Sequence, residues 1–151
     1  MMVRKTVAAM AACAGALLLS AVSYAQDHER NWDFGNVVVV THVDIKPGMT
    51  NAYMNDIGNL WRKFNEQQKK DGDIVDYKVY SNAAAREGEP DLILVVTYKN
   101  WATFDRDTEY FEELSEKLMG SLDNMREAAI DREAIRSIGS TFYLQEMNFT
   151  D

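Results

Sequence analysis

Residues 36–64 constrain the fold more than any other stretch; they read NVVVVTHVDIKPGMTNAYMNDIGNLWRKF. The β-branched run Val37–Val40 predicts a strand, because it is too short to form a spanning helix. Pro47 cannot donate to a strand ladder and Gly48 permits unusual turn angles, so the strand should end before them. Apolar residues then recur at helical spacing, which predicts an amphipathic helix capped by Thr50. These are Met54, Ile57, Trp61 and Phe64.

Alternation along the strand gives it two different faces. One face is apolar and should pack against helices; it carries Val37, Val39, Thr41, Val43 and Ile45. The other begins apolar and ends polar; it carries Val38, Val40, His42 and Asp44. A polar end on an otherwise covered face indicates either a rim or the lining of a cavity.

Residues 1–25 have the pattern of a secretory signal peptide. Arg4 and Lys5 supply the positive start, an apolar region rich in Ala and Leu follows, and small residues precede Gln26. This pattern predicts cleavage after Ala25 and a periplasmic or secreted protein. The alternatives are a transmembrane anchor, which the shortness of the run disfavours, and a lipoprotein acylated at Cys13, whose preceding residues match that signal poorly.

The single cysteine lies in the predicted signal peptide. The mature chain would therefore have no disulfide, no thiolate metal site and no cysteine nucleophile. Cleavage also removes two cations and no acid, so the net charge becomes more negative than the −8 of the full chain. Such an acidic domain would repel phosphate and anionic lipid, so no nucleic-acid partner and no membrane association after cleavage is expected.

Residues 26–35 are polar and predict an N-terminal arm, and residues 36–151 predict a single domain. Two further strands are predicted at Ile74–Ser81 and Asp91–Tyr98, and a last one at Ser140–Phe149. Residues 109–138 have a helical pattern that ends at Gly139 and forms either one helix or two helices broken near Gly120. The helix start is crowded with acids, which suits the positive end of a helix dipole better than a metal site.

The predicted order is β-α-β-β-α-β, which is the ferredoxin-like arrangement of an α+β fold. In this fold a four-stranded antiparallel sheet has helices on one face. The second face would carry apolar residues that are unfavourable in water, such as Val38 and Val40. A second copy of the same sheet is the simplest cover, so a homodimer is predicted.

Two short motifs resemble the dimeric α+β barrel superfamily, which includes antibiotic-biosynthesis-monooxygenase-like, NIPSNAP-like and stress-responsive barrel proteins. The first is the Ile45–Gly48 strand end with Tyr53 and Trp61 on the next helix, and the second is the aromatic turn Tyr98–Trp101 with Phe104. The resemblance implies a homodimer whose two sheets close a barrel, with one cavity in each subunit. Heme degraders of that group use an Asn, a Trp and a helical His, but the predicted helices here contain no His.

His42 is the candidate catalytic residue, as a general base or a hydrogen-bond partner for a substrate. Asp44 shares its strand face, and the predicted strand phases place Gln145 on the same side. Tyr80, Tyr98 and Tyr143 are candidate aromatic walls for a flat organic ligand. The alternative is a structural histidine that bonds only to Asp44 or to a dimer partner, and a shift of one residue in strand phase would turn His42 toward the helices.

Neither a strong catalytic motif nor a cofactor or metal motif is present, so two function classes stay open. One is a small-molecule binder, or an enzyme that resembles the cofactor-free oxygenases of the superfamily. The other is a non-catalytic structural or regulatory dimer. Only the residues on the sheet face that carries His42 bear on the choice between these two function classes.

Overall fold

The computed structural model describes residues 30–150. The predicted signal peptide and its cleavage point lie outside these residues, as do residues 26–29 of the predicted N-terminal arm. The sheet consists of β1 (Trp32–Ile45), β2 (Ile74–Ser81), β3 (Leu92–Tyr98) and β4 (Arg136–Phe149). The helices are α1 (Thr50–Asn59), α2 (Trp61–Lys70), α3 (Thr108–Met119) and α4 (Leu122–Glu133), with a 3₁₀ turn at Trp101–Asp105.

The strands form one sheet in the order β2-β3-β1-β4, and every neighbouring pair is antiparallel. This confirms the predicted ferredoxin-like α+β fold with its four-stranded sheet. The helices lie on one face only. The buried core joins Tyr53 and Ile57 of α1 to Val43, Leu92 and Leu94 of the sheet.

The face of β1 that packs on the helices is the predicted one, because Val37 and Val43 are fully buried. Hydrogen bonds between side chains connect the helices that cover this face of the sheet. Asp56 of α1 accepts from Arg132 of α4 at 2.5 Å, and Asp71, just after α2, accepts from Tyr110 of α3 at 2.8 Å. Burial, together with that second bond, raises the pKa of the Tyr110 phenol, and the same bond lowers the pKa of Asp71. No helix among the described residues is long and apolar enough to cross a membrane.

Several predicted boundaries were wrong. The strand does not begin at Asn36, because Trp32–Phe34 of the predicted arm already pairs with β4. Thr50 is the first helical residue and provides no side-chain cap. The last helix ends at Glu133 instead of Gly139, because the chain from Arg136 onward pairs with β1. The break near Gly120 is real, and this glycine ends α3 with a left-handed φ of 82°.

The edge strand β4 is unusual because its side chains are exposed to solvent on both faces of the sheet. All residues from Ser137 to Leu144 are exposed, although Phe142, Tyr143 and Leu144 are large and apolar or aromatic. A long exposed apolar edge strand is a liability in water unless something covers it. The fold therefore presents two apolar surfaces, one on each side of β4.

Candidate functional site

An aromatic cluster lies on the helix side of the sheet, beside β4. We call it the aromatic shelf; it consists of Tyr98, Trp101, Phe104 and Tyr143. The ring centres of Tyr98 and Phe104 are 4.8 Å apart, and Phe104 lies 5.7 Å from both Trp101 and Tyr143. These are ordinary separations for tilted and edge-to-face aromatic pairs.

The local sequence explains why the shelf forms. Asn100 follows β3 directly, and its side-chain oxygen accepts from the Ala102 N–H at 3.0 Å, which starts the 3₁₀ turn. Residues three apart lie on the same side of such a turn, so Trp101 and Phe104 project together. Phe104 meets Tyr143, which stands opposite Val39 in the ladder between β1 and β4.

Gln145 fixes the rim of the shelf. The Trp101 indole N–H donates to its side-chain oxygen at 2.6 Å, and its amide nitrogen donates to the carbonyl oxygens of Gly35 and Asn36 at 2.9 and 3.2 Å. The amide is thus occupied by the protein itself. These bonds hold the indole in one orientation, and the direct contact of Gln145 with a ligand stays a prediction.

The shelf is open to solvent although its residues are aromatic. Trp101 is 49% exposed and Tyr143 is 57% exposed, whereas Tyr98 lies beneath them and is partly buried. Burial raises the pKa of the Tyr98 phenol, and the nearby Tyr143 adds to the shift. Tyr98 therefore stays protonated at neutral pH and offers a hydroxyl donor but not a base.

The structure separates the predicted site residues into two groups. Tyr98, Tyr143 and Gln145 lie on the helix side. His42, Asp44 and Tyr80 lie on the other face of the sheet, which we call the bare sheet face. The prediction that all six share one face was wrong, because Tyr98 and Gln145 both stand opposite the fully buried Val37.

His42 lies on the bare sheet face as its strand phase predicted. Its ring packs edge-on against Phe142 at 5.3 Å between ring centres. Gly139 stands close by, and a Cβ there would lie 3.4 Å from the His42 Cβ, which is close van der Waals contact. Among the hydrogen bonds of the described residues none joins His42 to Asp44, so the alternative in which a structural His42 bonds to Asp44 is not seen within the subunit.

The bare sheet face is otherwise apolar in its middle. Val40 stands between Val95 and Phe142, and Val38 is opposite Leu144. Charged side chains lie at its margin on β2, where Lys78 and Asp76 form an exposed ion pair at 3.1 Å. Within residues 30–150 no group of three His, Cys, Asp or Glu side chains converges as metal ligands would.

Comparison with known proteins found similarity to solved structures only, at low identity. No protein-family model matches the sequence, and no curated protein matches it. A crystal structure of a protein from Shewanella oneidensis aligns with a TM-score of 0.48 at 14% identity, covering 78% of this chain and 98% of that one. A dimeric ferredoxin-like protein from an uncultured marine organism aligns with a TM-score of 0.45 at 12% identity, covering 76% and 96%.

Sequence reasoning missed two of the four shelf residues. Trp101 and Phe104 were recognised as an aromatic turn but not as part of a site. The signal that could have found them is the capping residue Asn100 directly after a strand, followed by aromatic residues three apart. Their contact with Tyr143 depends on the ladder register, which the sequence pattern does not contain.

Proposed function

We propose that the protein is an exported homodimer that binds a flat small organic molecule on the aromatic shelf. The observation that carries the proposal is the half-exposed Trp101, held in a fixed orientation by Gln145. Aromatic rings that are rigid and accessible give large contact area at little entropic cost. The hydroxyls of Tyr98 and Tyr143 supply polar contacts at the edge of such a ligand.

Binding without catalysis is the more direct interpretation of the shelf. Its titratable groups are phenols, and the single imidazole of the described residues, His42, lies on the other face of the sheet. The cofactor-free oxygenase hypothesis would therefore need a phenol, and not His42, at its reacting centre. A purely structural or regulatory dimer is the competing proposal, favoured by the large apolar area of the bare sheet face.

Substitution on the shelf should remove a bound molecule. In protein purified from its own host, Tyr143→Ala is expected to lower the amount of copurified small molecule by about tenfold, since one aromatic contact is lost. Extraction and mass spectrometry measure that amount. Tyr80→Ala is the matched control, because Tyr80 is similarly exposed but lies on the bare sheet face.

A second control tests His42, the candidate general base. His42→Ala should keep the ligand, because the sheet separates His42 from the shelf. Loss of the ligand in His42→Ala with retention in Tyr143→Ala would move the site to the bare sheet face. Retention in all three variants would remove the shelf as a ligand site.

Export is proposed from the sequence of the first 25 residues. The positive start, apolar region and small residues before Gln26 are the features that a signal peptidase recognises. Intact-mass measurement of protein from the periplasm or the medium should show a chain without Met1–Ala25. A chain that retains this segment, or one acylated at Cys13, would contradict export by this route.

A further inference from the structure

The aromatic shelf presents ring faces that no cation of the protein covers. Elsewhere the chain places its own guanidinium groups on aromatic rings. Arg30 lies 4.8 Å from the Trp32 ring centre, and Arg106 lies 4.7 Å from that of Tyr110. Within residues 30–150 no such contact involves a shelf residue. Since a cation is attracted to the negative face of an aromatic ring, the shelf can still accept one.

The electrostatic surroundings of the shelf disfavour an anionic ligand. Burial and the neighbouring Tyr143 raise the pKa of the Tyr98 phenol, and no arginine or lysine side chain of the described residues lowers it. The core phenol of Tyr53 differs, because burial raises its pKa while Arg136 and Arg132 oppose that rise. Negative charge at the shelf is therefore unfavourable, since no cationic side chain stands close enough to offset it.

Charge at longer range favours a cationic ligand instead. The full chain carries a net charge of −8, and a negative potential concentrates cations near the protein surface. Lys99 and Asp105 lie on either side of the turn that carries Trp101 and Phe104, and their opposite charges leave no local excess of either sign. The preference for a cation therefore comes from the chain as a whole and from the ring faces themselves.

We propose that the shelf prefers a flat aromatic heterocycle with a permanent positive charge on a ring nitrogen. This inference rests on the function proposed above and names the class of ligand. The shelf is open, since Trp101 and Tyr143 are both about half exposed, so it does not enclose a compact ammonium group. A flat ring lying over Trp101 gains more contact, and an indole is the aromatic side chain that attracts a cation most strongly.

N-methylisoquinolinium and 2-methylnaphthalene are suitable probes because they have the same shape and differ in charge. Equilibrium dialysis with the mature protein should give a dissociation constant about fivefold lower for the cation, as one cation–π contact at a half-exposed ring implies. Trp101→Leu keeps an apolar side chain but removes the ring, so the two probes should bind it about equally. Trp32→Leu is the matched control and should keep the preference, because Arg30 already lies over the Trp32 ring.

The outcomes distinguish a wrong ligand charge from a wrong ligand site. Equal affinity for the two probes, or tighter binding of 2-methylnaphthalene, would overturn the positive charge and leave the shelf as a site for neutral flat rings. A preference for the cation that persists in Trp101→Leu would overturn the shelf as the source of that preference. Binding of neither probe would overturn the inference together with the shelf as a site for flat molecules.

Discussion

Leu144→Asp should convert the proposed homodimer into a folded monomer. Leu144 is 49% exposed in the single subunit, so a charge there is tolerated when the subunit is alone. Sheet-on-sheet association would bury that charge against the apolar residues of a second bare sheet face, at a cost of several kcal/mol. We expect the dimer dissociation constant to rise by at least about a hundredfold.

Sedimentation velocity at micromolar concentration measures this change. Ile130→Asp is the matched control, because Ile130 is a large apolar residue that is 70% exposed on α4, away from the sheet. This control should remain dimeric. A dimer that forms equally well in Leu144→Asp would place the interface elsewhere.

The second large effect concerns the core between α1 and the sheet. Tyr53 is 2% exposed and packs with Ile57, Val43, Leu92 and Leu94. Tyr53→Ala would leave a cavity, and truncation of a buried aromatic residue costs about 3–5 kcal/mol. Since whole domains are stable by only about 5–15 kcal/mol, much of the free energy of unfolding should be lost.

Urea denaturation gives the free energy of unfolding of each variant. The adjacent Met54 is the control, because it is 40% exposed on the same helix and its truncation should cost about 1 kcal/mol or less. Similar losses for Tyr53→Ala and Met54→Ala would contradict the packing of α1 on the sheet.

The element order was predictable because alternation and helical spacing are local properties of the sequence. The valine run of β1, the nearly continuous apolar residues of β3 and the apolar spacing of α1 and α2 each appear in the sequence. The face of β1 that packs on helices followed from the same alternation. The helix break at Gly120 was also visible as one of two alternatives.

The site was harder to predict because it depends on register between strands that are distant in sequence. Simple alternation would place Ile74 on the same face as Asp76, Lys78 and Tyr80. A bulge between Ile74 and Asp76 breaks this alternation. Ile74 is therefore buried on the helix side, whereas the other three lie on the bare sheet face. A one-residue irregularity of this kind moves side chains to the opposite face. Likewise, the face on which Tyr143 lies depends on its pairing with Val39 across the ladder.

The break at Leu60 has a sequence signal that the apolar spacing concealed, because the poor helix formers Gly58 and Asn59 directly precede it. The early start of β4 had no clear sequence signal. Arg136–Ile138 continues the helical composition, yet its backbone pairs with β1 as far as Ile45. There tertiary packing overrides local preference, which is a common reason for misplaced element ends.

We propose that two copies of this subunit join through their bare sheet faces while the aromatic shelf holds a small organic molecule. Native mass spectrometry of protein purified from its own host measures subunit number and bound molecules together. We expect a dimer that carries an additional small molecule. A dimer without a ligand would favour the structural or regulatory alternative, and a monomer without a ligand would contradict both the dimer and the ligand site.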